Sequence, residues 1–196
     1  MLYDENKSNV DSQSAKQTKN NLPVQPTPFI GRTKQLKAIK ELLLNAETRM
    51  VTLLGPGGTG KTRLSLQVAQ ELLDQFPNGV YFVPLADDTN ADQFISRVAQ
   101  QLKVKEGGRP LLENVKDYLR DKQMLLVMDN FEQLVSAAPM VADLLASAAQ
   151  LKILGSSRIA LNLHGEREFP VPPLELPQAE NESAWENLIE NESITL

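Results

Sequence analysis

The chain has 196 residues, 41% hydrophobic and 23% charged, an ordinary balance for a water-soluble globular protein and enough for one well-buried α/β domain with tails, or at most one and a half domains. It has no cysteine and a single histidine, His164, which excludes disulfides, thiolate metal sites and a cysteine nucleophile and argues against a histidine-based metal centre. The net charge of −5 is local: residues 171–196 hold six glutamates and no lysine or arginine, the rest is close to neutral, and no basic stripe points to direct nucleic-acid contact.

The N-terminus, Met1-Leu2-Tyr3-Asp4-Glu5-Asn6, has no apolar signal region. No apolar run approaches the ~20 residues that span a bilayer. A cytoplasmic location without membrane contact is therefore expected. Residues 1–27 are rich in Asn, Gln, Ser, Lys and Asp and run into the prolines Pro23, Pro26 and Pro28, the composition of a disordered tail or linker, or of a docking peptide. Phe29-Ile30-Gly31-Arg32 follows. Leu36, Ile39 and Leu43 then recur at helical spacing and predict an amphipathic helix over 33–46.

Met50 to Leu54 reads as a short buried strand, followed by Gly55-Pro56-Gly57-Gly58-Thr59-Gly60-Lys61-Thr62, a complete G-x-x-x-x-G-K-[ST] pattern. A helix is predicted over 62–76, with Leu64, Val68, Leu72 and Phe76 on its apolar face, ended by Pro77-Asn78-Gly79. A second strand covers 80–85. Asn90 with Gln93 forms a capping box before a helix carrying Phe94, Ile95, Val98, Ala99 and Leu102. Pro110 suits the first position of another helix, which buries Leu112, Val115 and Leu119. Met124 to Met128 is an unbroken apolar run ended by Asp129-Asn130, the pattern of a strand buried on both faces. Pro139 opens a further helix with Val141, Leu144, Leu145 and Ala148 inward. Lys152 to Gly155 is the fourth strand, ending in Ser156-Ser157-Arg158, and 169–174 is a last short strand limited by its prolines. Strands alternating with helices predict a mainly parallel sheet covered on both sides.

The glycine-rich loop carries the chemistry. Gly55, Gly57, Gly58 and Gly60 let consecutive N–H groups curl into an anion nest, and the loop runs into a helix start whose own N–H groups are unpaired. Lys61 is positioned by the pattern to reach the β and γ phosphates of a nucleotide, and the Thr62 hydroxyl to ligate Mg²⁺. In an open parallel sheet ligands sit beyond the carboxyl ends of the strands, where Asp129 and Arg158 are also expected. Asp129 suits a Walker B carboxylate holding Mg²⁺; a turn or helix-cap aspartate is the alternative. Arg158 suits a γ-phosphate sensor; a solvated surface arginine is the alternative.

Taken in order, Phe29-Ile30-Gly31-Arg32, Gly60-Lys61-Thr62-Arg63-Leu64, Leu125 to Leu134, Ile153 to Arg158 and Val171 to Pro177 resemble the nucleotide-binding domain of STAND ATPases. More narrowly, they resemble the NB-ARC-like module of bacterial SARP- and LuxR-type transcriptional regulators, over roughly residues 22–196. The resemblance implies a three-layer P-loop NTPase sandwich with a five-stranded sheet in the order 2-3-4-1-5, and an ATP/ADP switch. It implies a core domain over 28–177 and an acidic tail over 178–196 that leads toward a helical lid. It also implies partner domains or subunits, effector and sensor modules that this chain is expected to lack. In the tail, Trp185, Leu188 and Ile189 stand at helical spacing, as a packing helix or a frayed end.

In that family pattern Phe29, Ile30 and Arg32 match the motif near adenine and ribose. The nucleotide set continues through Gly55, Pro56, Gly57, Gly58, Thr59, Gly60, Lys61, Thr62 and Arg63. Thr62 and Asp129 form the metal pair, and Lys61, Asp129, Glu132 and Arg158 the candidate catalytic set. Asn130 stands where many fast P-loop ATPases carry an acid. Glu132 is either its substitute or a first-turn helix glutamate. The expected function is an ATP/ADP-binding regulatory switch with slow or no hydrolysis. The alternatives are a self-contained P-loop hydrolase or kinase and an ADP-locked scaffold module.

Overall fold

The computed structural model describes residues 19–173. Strands β1 (Met50–Leu54), β2 (Val80–Pro84), β3 (Met124–Asp129), β4 (Leu151–Ser157) and β5 (Glu166–Pro170) form one five-stranded sheet in the order β2-β3-β4-β1-β5, every pair parallel. Helices α1 (Thr33–Leu44) and α2 (Lys61–Glu71) cover one face, and α3 (Ala91–Leu102), α4 (Leu111–Leu119) and α5 (Ala138–Ser147) the other. This is the α/β sandwich and strand order expected above.

Side chains alternate across a strand, so a central strand covered on both faces needs an apolar residue at every position. β3 obeys this: Met124, Leu126 and Met128 enter the core under α3, α4 and α5, while Leu125 and Val127 enter the core under α1 and α2. β5 is the opposite case. It is an edge strand whose Arg167, Glu168 and Pro170 are exposed, so it lacks the apolar signature and begins earlier than the predicted 169–174. β4 also outruns its predicted span of 152–155. Its polar end, Ser156 and Ser157, is fully buried because β1 pairs along it to Leu54↔Ser157. The helix predicted over 62–76 stops at Glu71 and continues as one 3₁₀ turn, Leu73–Gln75, yet Leu72 and Phe76 are buried as expected. At α3 the Asn90 side chain accepts from Gln93 N at 3.0 Å, while Gln93 Oε1 accepts from Thr89 N at 2.7 Å rather than from the cap residue itself.

The expected tail over 1–27 needs a correction where it is described. Asn20 bridges Val80 in parallel, Val80 N donates to Lys19 O at 3.0 Å, and Leu22 packs on the α1/α2 side of the core. The Asn21 side chain accepts from Phe82 N at 2.6 Å and donates to Phe82 O at 3.0 Å. These residues cover the open edge of β2, a common way to blunt an edge strand. Residues 1–18, the end of the core over 174–177 and the acidic tail with Trp185, Leu188 and Ile189 lie outside the described residues. Asn21→Ala is expected to speed hydrogen exchange at the Phe82 amide while costing only about 1 kcal/mol of global stability. Unchanged exchange at that amide would show that the asparagine does not protect the edge.

Candidate functional site

β1 delivers the chain to the carboxyl edge of the sheet, and the loop 55–60 passes directly into α2 at Lys61. Gly58 and Gly60 both have φ of 79°, the left-handed region that side chains resist, and Gly60 is the N-cap of α2. Gly55 is needed for a different reason: a Cβ there would lie 2.5 Å from the Val171 carbonyl oxygen, so backbone meets backbone behind the loop. Thr59 Oγ1 donates to Pro56 O at 3.0 Å and closes the turn. No acidic side chain sits in the first turn of α2, which leaves the positive end of its dipole for a ligand.

Lys61 is buried, its Nζ donating to Gly55 O at 2.7 Å and Pro56 O at 2.8 Å. Burial holds its ammonium below the usual lysine range; the Glu132 carboxylate pulls it back up, Arg158 lowers it further, and Asp129 raises it. The Thr62 hydroxyl lies 2.8 Å from Asp129 Oδ1 and 3.0 Å from Oδ2. From the far side, Ser156 Oγ donates to Asp129 Oδ1 and accepts from Asn130 N at 3.1 Å. The carboxylate at the end of β3 is thus held between a hydroxyl of α2 and one of β4. Asn130 itself takes a left-handed φ of 62°, which turns the chain sharply into the 3₁₀ turn Phe131–Gln133.

Above this floor is a cavity of about 320 Å³ lined by Gly57, Gly58, Gly60, Lys61, Thr62, Arg63, Asn130, Glu132 and Arg158. Three cationic side chains and a glycine cradle suit an anion with several charges. Glu132 Oε2, buried and without a hydrogen-bond partner among the described residues, suits an additional donor such as a bound water. Among the described residues no group of three or more His, Asp or Glu could hold a metal by itself. A cation here would therefore rest on Thr62, Asp129 and ligand oxygens, the sparse protein ligation that Mg²⁺ commonly accepts beside phosphates.

Other residues singled out from the sequence are placed differently. Arg63 lines the cavity, but its Nη2 also donates to Thr27 O (3.2 Å), Thr27 Oγ1 (2.9 Å) and Pro28 O (2.7 Å), tying the incoming segment to α2. Phe29 packs on the α1/α2 core, and Arg32 is buried at the N-cap of α1, its Nη2 donating to Pro172 O at 3.0 Å. With Ile30 they lie outside the wall of the phosphate-sized cavity. Ser156 is a site residue that the sequence does not single out. In the sequence it is only part of a strand end, and its role depends on β3 and β4 being neighbours, with Met128 opposite Gly155 and hence Asp129 beside Ser156.

Among the described residues no helix is long and apolar enough to cross a membrane. A family model described as "AAA domain" matches residues 44–170. The chain is 35% identical over 152 residues to an uncharacterized protein of Mycobacterium tuberculosis, an alignment covering 76% of this chain and 38% of that protein. It is 34% identical over 135 residues to another protein of that organism, whose name describes an HTH-type transcriptional regulator, covering 68% of this chain and 15% of the relative. The chain therefore spans well under half the length of these curated relatives. Among solved structures its fold is similar to Cdc6p from Pyrobaculum aerophilum, with a TM-score of 0.59 at 22% identity over 86% of this chain and 51% of the other. It is also similar to a STAND protein with a tetratricopeptide repeat sensor from Pyrococcus horikoshii, with a TM-score of 0.50 at 16% identity over 82% of this chain and 25% of the other.

Proposed function

The chain belongs to the AAA domain family of P-loop NTPases, and from that premise we propose that it is an ATP/ADP-binding switch domain with slow or no hydrolysis, working within a larger signal-transducing or transcription-regulating assembly. The observation that carries this reading is the Thr62 hydroxyl resting on both oxygens of Asp129 beside a glycine cradle floored by Lys61. Thr62 and Asp129 would hold Mg²⁺, Lys61 and the loop N–H groups the phosphates, and Arg158 would read the last phosphate. Bound Mg²⁺ would neutralise part of the triphosphate charge.

Slow turnover is supported by the residue directly beyond Asp129. Asn130 offers no carboxylate, and its backbone is tied to Ser156. Glu132 lines the cavity and pairs with Arg158. A nucleotide shifts a two-state domain only through contacts that differ between the states, and ATP and ADP differ here in the group that Arg158 would meet. The HTH-type regulator named among the relatives supports a transcription-regulating effector as a partner.

Asp129→Asn tests the cation role. Mg-ATP binding is expected to weaken roughly 10- to 100-fold by calorimetry, as for other disturbed metal sites, while ATP binding in EDTA is no weaker than wild type. An equal loss with and without Mg²⁺ would assign Asp129 to the fold instead. Rapid steady-state turnover stimulated by a small acceptor would replace the switch with a self-contained hydrolase or kinase.

A further inference from the structure

Glu132 sits in a single 3₁₀ turn whose first residue, Phe131, is fully buried and packs edge-to-face on Phe94, with centroids 5.7 Å apart. The turn therefore holds the carboxylate at the cavity wall. Glu132 is only 17% exposed, its Oε1 lies 3.1 Å from Arg158 Nε, and its Oε2 has no hydrogen-bond partner among the described residues. A carboxylate oxygen that is buried without a partner is an unfavourable resting arrangement unless another group completes it.

Arg158 is placed to exchange partners. Its side chain is 65% exposed, it meets Glu132 through Nε, and its Nη2 lies 3.6 Å from where a Gly57 Cβ would stand, beside the phosphate loop. A guanidinium carries five donors in a planar fork, and a phosphate accepts two of them in parallel. A terminal phosphate in this cavity would offer more charge and more acceptors than the single carboxylate contact, and would itself repel Glu132.

We propose that Glu132 and Arg158 form a latch that the terminal phosphate of a nucleoside triphosphate opens, so that one arginine both reads that phosphate and releases the acidic side chain from its ion pair. A diphosphate, seated on the loop and Lys61 alone, leaves the latch closed. The proposal rests on the reading of this cavity as the triphosphate site.

Calorimetry of the whole chain with Mg-ATP and Mg-ADP tests it. Glu132→Gln, nearly isosteric, is expected to tighten Mg-ATP about fivefold, the scale of a partly exposed ion pair, with Mg-ADP unchanged and with no gain in an Arg158→Ala background. Glu132→Asp keeps the charge but shortens the reach to Arg158, and a gain confined to Mg-ATP is expected there too. An equal gain for both nucleotides, a gain that survives Arg158→Ala, or no gain in either variant overturns the latch and leaves the nucleotide site standing. A wild-type chain that binds neither nucleotide overturns the site, and the latch with it.

Discussion

Lys61→Ala is expected to weaken Mg-ATP binding by roughly a hundredfold, the scale of a lost charge-assisted hydrogen bond to phosphate, without unfolding the domain. The reason is where the ammonium sits. It is buried at the base of the loop and held by two backbone carbonyls, Gly55 O and Pro56 O, so its position is set before any ligand arrives. Little ordering entropy is lost on binding, and the full charge is available. Truncation removes those two hydrogen bonds but opens their carbonyls to the cavity, where water can replace the ammonium. Alanine is also a good helix former at the first position of α2. Circular dichroism and thermal unfolding should stay close to wild type while calorimetric heat with Mg-ATP disappears. Undiminished affinity would remove the loop from the nucleotide site.

Phe131→Ala is expected to cost about 3–5 kcal/mol, as for other large-to-small core changes, and to lower the unfolding midpoint by about 10 °C. Phe131 is fully buried in the core under α3, α4 and α5, so the void it leaves is roofed by the Asn130 turn and walled by Phe94. The same residue orients Glu132, its neighbour in the turn. Loss of stability should therefore come with a rise in Mg-ATP affinity relative to Mg-ADP, the same direction as Glu132→Gln. A folded variant that keeps wild-type stability and preference would show that the turn is held by its own backbone. Leu126→Ala, deep in β3 and away from the cavity, should destabilise comparably while leaving the preference intact.

The parts of the site that are legible in the sequence are those whose chemistry is local. An anion nest is made by consecutive backbone groups, so its glycine pattern is written in one short stretch, and the run Met124 to Met128 announces a central strand because both of its faces are covered. Other parts have no local signature. β5 lies earlier than predicted because an edge strand has no apolar code to carry, and residues 19–22 look like linker because their contacts are mostly backbone and amide hydrogen bonds to β2 rather than buried apolar side chains. The helix predicted through Phe76 is shorter because a 3₁₀ turn can bury Leu72 and Phe76 as well as a continued α-helix.

By itself the sequence determined a parallel α/β sandwich, the phosphate-binding loop and the candidates Lys61, Thr62 and Asp129, because periodicity and a backbone nest depend only on near neighbours along the chain. Only the tertiary structure decided that Ser156 clasps Asp129, that Arg63 anchors Thr27 and Pro28, and that Glu132 and Arg158 pair at the cavity wall. The Ser156–Asp129 and Glu132–Arg158 pairings arise because β3 and β4 lie side by side. Strand order is set by how the helices pack on the two faces, a property of the whole domain that no single stretch of the chain contains.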